Sequence, residues 1–198
     1  MSVVPYLSVD YKKEYALKTN NKIAAVLDPM DFNHFQEGEE QNISWKWIHL
    51  PMKTQGKELN KLVLQNNTND SIYVTVLIRY TLAKANEAPL VYYSPTREAL
   101  IVHDGCGYRL IGGISDQGNI EKYSTMQINM EDWAIGSPLK YQPLTKESKG
   151  WGMELKFLIK KKSTAYLYEW EFQSQKLQEL EDLHLQYQEL LCKREKDL

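Results

Sequence analysis

Residues 61–82, KLVLQNNTNDSIYVTVLIRYTL, decide the fold class. Two runs dense in β-branched and aromatic residues, 61-KLVLQ-65 and 71-SIYVTVLIRYTL-82, flank 66-NNTND-70, whose short polar side chains bond nearby backbone and favour turns. The spacing predicts two antiparallel strands joined by a short loop.

The same pattern extends in both directions. Upstream, 43-ISWKWIHL-50 alternates, with Ile43, Trp45 and Trp47 on one face and Ser44 and Lys46 on the other, before Pro51 interrupts it. Further back, 23-IAAVL-27 reads as a short strand closed by Asp28-Pro29, and 31-DFNHFQEGEEQ-41 reads as an exposed loop. Downstream, 90-LVYYS-94 and 98-EALIV-102 make a hairpin, which continues into 107-GYRLIGGI-114, with 119-NIEKYSTMQI-128 a further extended candidate. Residues 129–150 read as a long surface connection with one helical turn near Glu131-Asp132-Trp133. The runs 151-WGMELKFLI-159 and 164-TAYLYEWEF-172 read as a last hairpin around 160-KKKS-163.

At Gln173 the character changes. The tail 173–198 holds no Gly or Pro and is rich in Gln, Glu, Leu and Lys, good helix formers. Leu177, Leu180, His184, Tyr187 and Leu191 recur at spacings of three and four, and Leu183 and Leu190 widen the stripe of an amphipathic helix. Roughly eight to ten strands without helices between them, then one helix, predict an antiparallel β-sandwich, immunoglobulin-like or jelly-roll-like, over 1–172 and a helical tail over 173–198. The run 61–80 resembles the paired strands of immunoglobulin-like bacterial sandwich domains, a likeness that implies the same fold class.

Composition narrows the function classes. A formal charge of −2 leaves no excess of Lys and Arg to neutralise a phosphate backbone, so nucleic-acid binding is not expected. The opening MSVVPYLSVDYKKEYAL lacks the charged and apolar regions of a secretion signal. No window approaches the roughly 20 apolar residues of a membrane span. The expected compartment is the cytoplasm, with Cys106 and Cys192 as free thiols.

The densest cluster of reactive residue types is 101-IVHDGCGYRLIGG-113. Its glycines miss the dinucleotide and Walker spacings, and a strand rather than a helix follows them, so no amide cradle for phosphate forms. Cys106 lies near His103 and Asp104, but strand alternation separates neighbouring side chains, and a thiol-dependent enzyme is only a third reading. The segment is expected to be a hairpin, with Gly112-Gly113 as a bulge or second turn and the glycines present for positive φ. No spacing of His and Cys suggests zinc, and no catalytic residue, cofactor or metal is expected.

Two binding readings follow. The helix stripe Leu177, Leu180, Leu183, His184, Tyr187, Leu190 and Leu191 can fold back on the sandwich or meet a protein partner or second copy as a short coiled coil, giving a non-enzymatic structural or regulatory module. Alternatively Trp45, Trp47, Tyr92, Trp133 and Trp151 can form an aromatic platform for carbohydrate.

Overall fold

The computed structural model describes residues 10–20, 22–29, 34–84 and 88–193. Its strands form two packed antiparallel sheets. The smaller is centred on β6 (Ile72–Leu82), with β1 (Tyr11–Thr19) and β13 (Gly150–Ile159) beside it and β2 (Lys22–Leu27) and β11 (Lys122–Ser124) at the edges. The larger runs β12 (Leu144–Thr145), β7 (Leu90–Ser94), β8 (Ala99–His103), β9 (Tyr108–Ser115), β14 (Thr164–Ser174), β5 (Lys57–Asn66), β4 (Ile43–Leu50) and β3 (Phe35–Glu40), with β10 (Gly118–Asn119) also on β9. A β-sandwich with a C-terminal helix, α2 (Leu177–Lys193), is the fold.

The hairpins β7–β8 and β8–β9 form as expected, with Leu90 opposite His103 and Leu100 opposite Ile111. The two other expected hairpins do not. β5 pairs with β4 and β14, while β6 pairs with β1 and β13, so 66-NNTND-70 carries the chain from one sheet to the other. β13 and β14 likewise lie in different sheets, joined by 160-KKKS-163. Strand periodicity reports which face a side chain takes, not which neighbour a strand bonds, and both pairs bury apolar faces equally well as a sandwich arch. Asn66 ties the two crossovers together: its side-chain nitrogen donates to the carbonyls of Asp70 (2.7 Å), Ile159 (3.1 Å) and Lys160 (3.1 Å).

Three further segments differ from expectation. Residues 35–40 of the expected loop are β3, an edge strand bonded to β4 whose acidic side chains keep that edge in water; residues 31–33 lie outside the described part. Tyr11–Thr19, without apolar alternation in its first half, is an interior strand of the small sheet. Residues 129–150 include the expected helical turn as α1 (Met130–Ala134), capped by Asn129, whose side chain accepts from the Glu131 and Asp132 amides. Its Trp133 is buried with Ala16, Leu77 and Ile128 on the outer face of the small sheet.

The main core fills the space between the sheets, and the expected inward face of β4 is part of it: Ile43, Trp45 and Trp47 are all buried. A second core lies outside the large sheet, under α2. Leu180 and Leu191 are buried there against Ile101, Leu110, Trp170 and Phe172, with Leu177, Leu183 and Tyr187 half-buried around them. The helix thus folds back on its own sheet, leaving Leu190 of the stripe about half exposed. His184, the polar position of the stripe, is fully buried; its Nδ1 accepts from Trp170 Nε1 (3.1 Å) and its Nε2 donates to the Arg97 carbonyl (2.6 Å). A buried imidazole with both nitrogens bonded is compatible with an apolar interface.

That docking explains one glycine. A Cβ on Gly112 would lie 2.7 Å from the His184 ring and 2.8 Å from Trp170 Nε1. Gly112 and Gly113 are therefore strand residues at a close approach, not a bulge or turn, and of the glycines in 105–113 only Gly105 has positive φ.

Candidate functional site

The chemistry gathers where the two sheets open at one end. On β1 the alternate residues Tyr11, Lys13 and Tyr15 point between the sheets. On β14 the alternate residues Glu169 and Glu171 point back at them, because Trp170 and Phe172 are taken up by the helix on the other face. Asn60 and Glu58 of β5, Trp47 and His49 of β4, Arg109 of β9 and Tyr80 of β6 complete the surroundings.

Lys13 is the hub. Its ammonium bonds both oxygens of Glu169 at 3.0 Å, pairs with Glu171 and lies 3.9 Å from Glu58. Glu169 also accepts from Tyr15 (2.7 Å), Tyr80 (2.8 Å) and Asn60 (2.8 Å), so its buried charge is fully hydrogen-bonded. Glu171 accepts from the Tyr11 hydroxyl and faces Arg109 Nη1 at 3.8 Å. Arg109 stacks its guanidinium over the Tyr11 ring at 4.2 Å, and the Gln173 amide oxygen, turned toward it, accepts from Nε (3.2 Å) and Nη2 (2.7 Å). Arg109 Nη1 is buried and makes no hydrogen bond among the described residues.

The titration behaviour follows from this network. Burial would lower the Lys13 ammonium, but Glu169 and Glu171 overcome it and hold its pKa well above the usual lysine value. Burial would likewise raise Glu171, yet Lys13, Arg109 and the hydrogen bonds hold it below the usual carboxylate range. Tyr11, Tyr15 and Tyr80 are all pushed well up, chiefly by burial and then by the carboxylates beside them. Glu58, at the mouth, moves the other way from Glu171: the charge of Glu171, then burial, raises it.

A cleft of about 430 Å³ opens over this cluster, lined by Tyr11, Lys13, Trp47, His49, Glu58, Asn60, Arg109 and Glu171 among others. His49 stacks between Trp47 and His34, and its Nδ1 meets Asn60 Oδ1 at 2.9 Å. The half-exposed carboxylate of Glu58 and the partly exposed Tyr11 and His49 thus border one concavity of small-molecule size.

The residues expected to form an aromatic platform do not assemble. Trp45, Trp47, Trp133 and Trp151 are 9%, 3%, 1% and 0% exposed, and Tyr92 is half-buried beside the core under α2, so these five form no exposed platform. Their large apolar area holds them in three different cores. Trp47 alone reaches the cleft. Cys106 and Cys192 are both exposed free thiols. Cys106 sits on a turn capped by Asp104 Oδ1, which accepts from the Cys106 (2.9 Å) and Gly107 (3.1 Å) amides, while His103 packs on Tyr108 across the hairpin.

Sequence reasoning missed the cleft. One signal was present: in 164-TAYLYEWEF-172 the acids alternate with aromatics, and a helix covering the aromatic face forces the acids inward. The helix was legible, but which sheet face it covers was not.

No family model matches the sequence, and no curated protein matches it. Among solved structures, a polysaccharide lyase superposes with a TM-score of 0.51 at 10% identity, over 83% of this chain and 26% of that one. The likeness is one of fold, and the chain spans about a quarter of the lyase's length.

Proposed function

We propose that the chain is a non-catalytic β-sandwich that binds a hydroxyl-rich small molecule, a sugar residue in the first instance, in the cleft between Tyr11, Trp47, Glu58 and Arg109. The observation that carries this reading is the cleft of about 430 Å³ with the half-exposed carboxylate of Glu58 at its mouth and the charged side chains of Lys13, Arg109 and Glu171 beneath it. A carboxylate at the mouth accepts charge-assisted hydrogen bonds from ligand hydroxyls. The size of the cleft suits a single sugar ring, and Glu58, half-exposed at the mouth, is a partner for its hydroxyls.

Binding is favoured over catalysis by the electrostatics. Lys13 and Glu171 are each held in their charged forms, and the tyrosines in their neutral forms, so these groups are poor proton carriers near neutral pH. The polysaccharide-lyase neighbour is compatible with a carbohydrate ligand and adds only a fold-level analogy. The helix, with most of its stripe against its own sheet, serves in this reading as a strap rather than a docking arm.

The test is calorimetric titration of the full chain with a panel of neutral and acidic mono- and oligosaccharides, with tryptophan fluorescence in parallel. At least one sugar is expected to bind saturably, and Glu58→Gln, at a half-exposed side chain, should weaken it about tenfold, the loss of one charge-assisted hydrogen bond. Flat titrations across the panel with folded protein sink the reading.

A further inference from the structure

A second concavity lies on the opposite, outer face of the small sheet. The registers place Lys18 of β1, Thr75 of β6 and Lys156 of β13 side by side across three strands. Lys122 of β11 stands one row away, opposite Glu154. With Asn20, Tyr73, Ser137 and Glu154 these residues line a groove of about 400 Å³.

The charges in this groove do not balance. Its single carboxylate, Glu154, is occupied on both oxygens: Lys122 Nζ bonds Oε1 at 2.9 Å and Trp133 Nε1 bonds Oε2 at 2.6 Å. Lys18 and Lys156 form no ion pair among the described residues. Lys18 is only 9% exposed, and its ammonium rests 4.2 Å over the Trp133 ring and donates to the Trp133 carbonyl at 2.8 Å. One of its three donors is thereby used, and the residue lines the groove. Lys156 lies over the Tyr73 ring, 4.8 Å away. Two cations with no ion pair of their own among the described residues, beside a third, in a chain whose formal charge is −2, are not the by-product of a basic surface. Burial lowers the Lys18 ammonium and Lys122 adds to it, against the pull of Glu154, and a bound anion would relieve both effects.

We propose that this groove is an anion site, in which Lys18, Lys122 and Lys156 hold a sulfate, phosphate or carboxylate group with the Thr75 and Ser137 hydroxyls as further donors. Charge-assisted bonds from several ammoniums to one oxyanion supply the attraction, and partial burial of Lys18 limits its screening by salt. The site is independent of the cleft between the sheets and does not rest on the sugar reading.

Nuclear magnetic resonance titration of the full chain at low ionic strength, with sodium sulfate, sodium phosphate and an oligogalacturonate in separate arms and sodium chloride as control, tests it. Amide shifts near Thr75 and Ser137 are expected to saturate, and Lys156→Gln or Lys122→Gln, both at accessible positions, should weaken binding about tenfold each. Saturation by the inorganic ions identifies a free-anion pocket; saturation by the uronate alone identifies an anion carried on a sugar chain. Either supports the site, and Glu58→Gln should leave it unchanged, which separates it from the cleft. Shifts that stay linear in every arm, or are identical in the Lys122→Gln/Lys156→Gln double variant, overturn it.

Discussion

At Lys13 one ammonium pairs with two carboxylates that are 1% and 2% exposed. Replacing it with methionine leaves Glu169 with no cation among the described residues and Glu171 with only the Arg109 guanidinium at 3.8 Å, and removal of one partner from a buried ion pair costs about 3–5 kcal/mol. Urea unfolding of Lys13→Met should show a loss of that size, and adding Glu171→Gln should recover part of it. The sign of the pH dependence follows from the same cluster. Glu171, depressed in the folded state, stabilises the protein above the unfolded carboxylate value of 4.5 and loses that contribution as pH falls below it. Lys13, raised in the folded state, contributes fully below its unfolded value of 10.5 and loses the contribution as pH climbs through its raised one. Gly112 gives an independent residue-scale test: Gly112→Ala drives a methyl into His184 and Trp170, and overpacking of this kind costs about 1–3 kcal/mol. The loss should appear in the melting curve together with a change in Trp170 fluorescence.

Among the elements, the two arches and the helix carry separable predictions. Asn66 holds three carbonyls from two crossovers, so Asn66→Ala leaves the buried Ile159 carbonyl and two partly buried ones without this donor and should cost about 1–3 kcal/mol. In hydrogen exchange the amides of 66–71 and 159–164 should lose protection together, since one side chain joins them. The helix has a pH-sensitive fastening. Burial lowers the His184 pKa, outweighing the hydrogen bond to the Arg97 carbonyl, and its charged neighbours Arg97 and Glu181 pair with each other at 3.7 Å. The neutral form is the one that accepts from Trp170, so the stability it lends is complete above the unfolded value of 6.5 and fades as pH drops below it. Exchange of α2 amides should accelerate between neutral and mildly acidic pH, and His184→Gln should flatten that profile; an α2 whose exchange rates follow only the intrinsic pH dependence would falsify the assignment.

Across the whole molecule, the central strands of the large sheet are covered on both faces, by the small sheet inside and by α2 outside. That arrangement decides where the charged cleft lies. The strand class, the inward face of 43-ISWKWIHL-50, the hairpins around 90–114, the turn at 131–133 and the amphipathic helix were legible in the sequence, because each depends on the period of its own side chains. Three features depend on partners far along the chain: the assignment of β5 and β6 to different sheets, the inward turn of Glu169 and Glu171, and their meeting with Lys13 across 156 and 158 residues. Local pattern determines whether a segment is a strand or helix and which residues share a face. Only tertiary packing determines which face is covered, because burial is a property of what lies opposite, and an alternation of aromatics with acids is satisfied equally well facing either way until a helix and a lysine settle it.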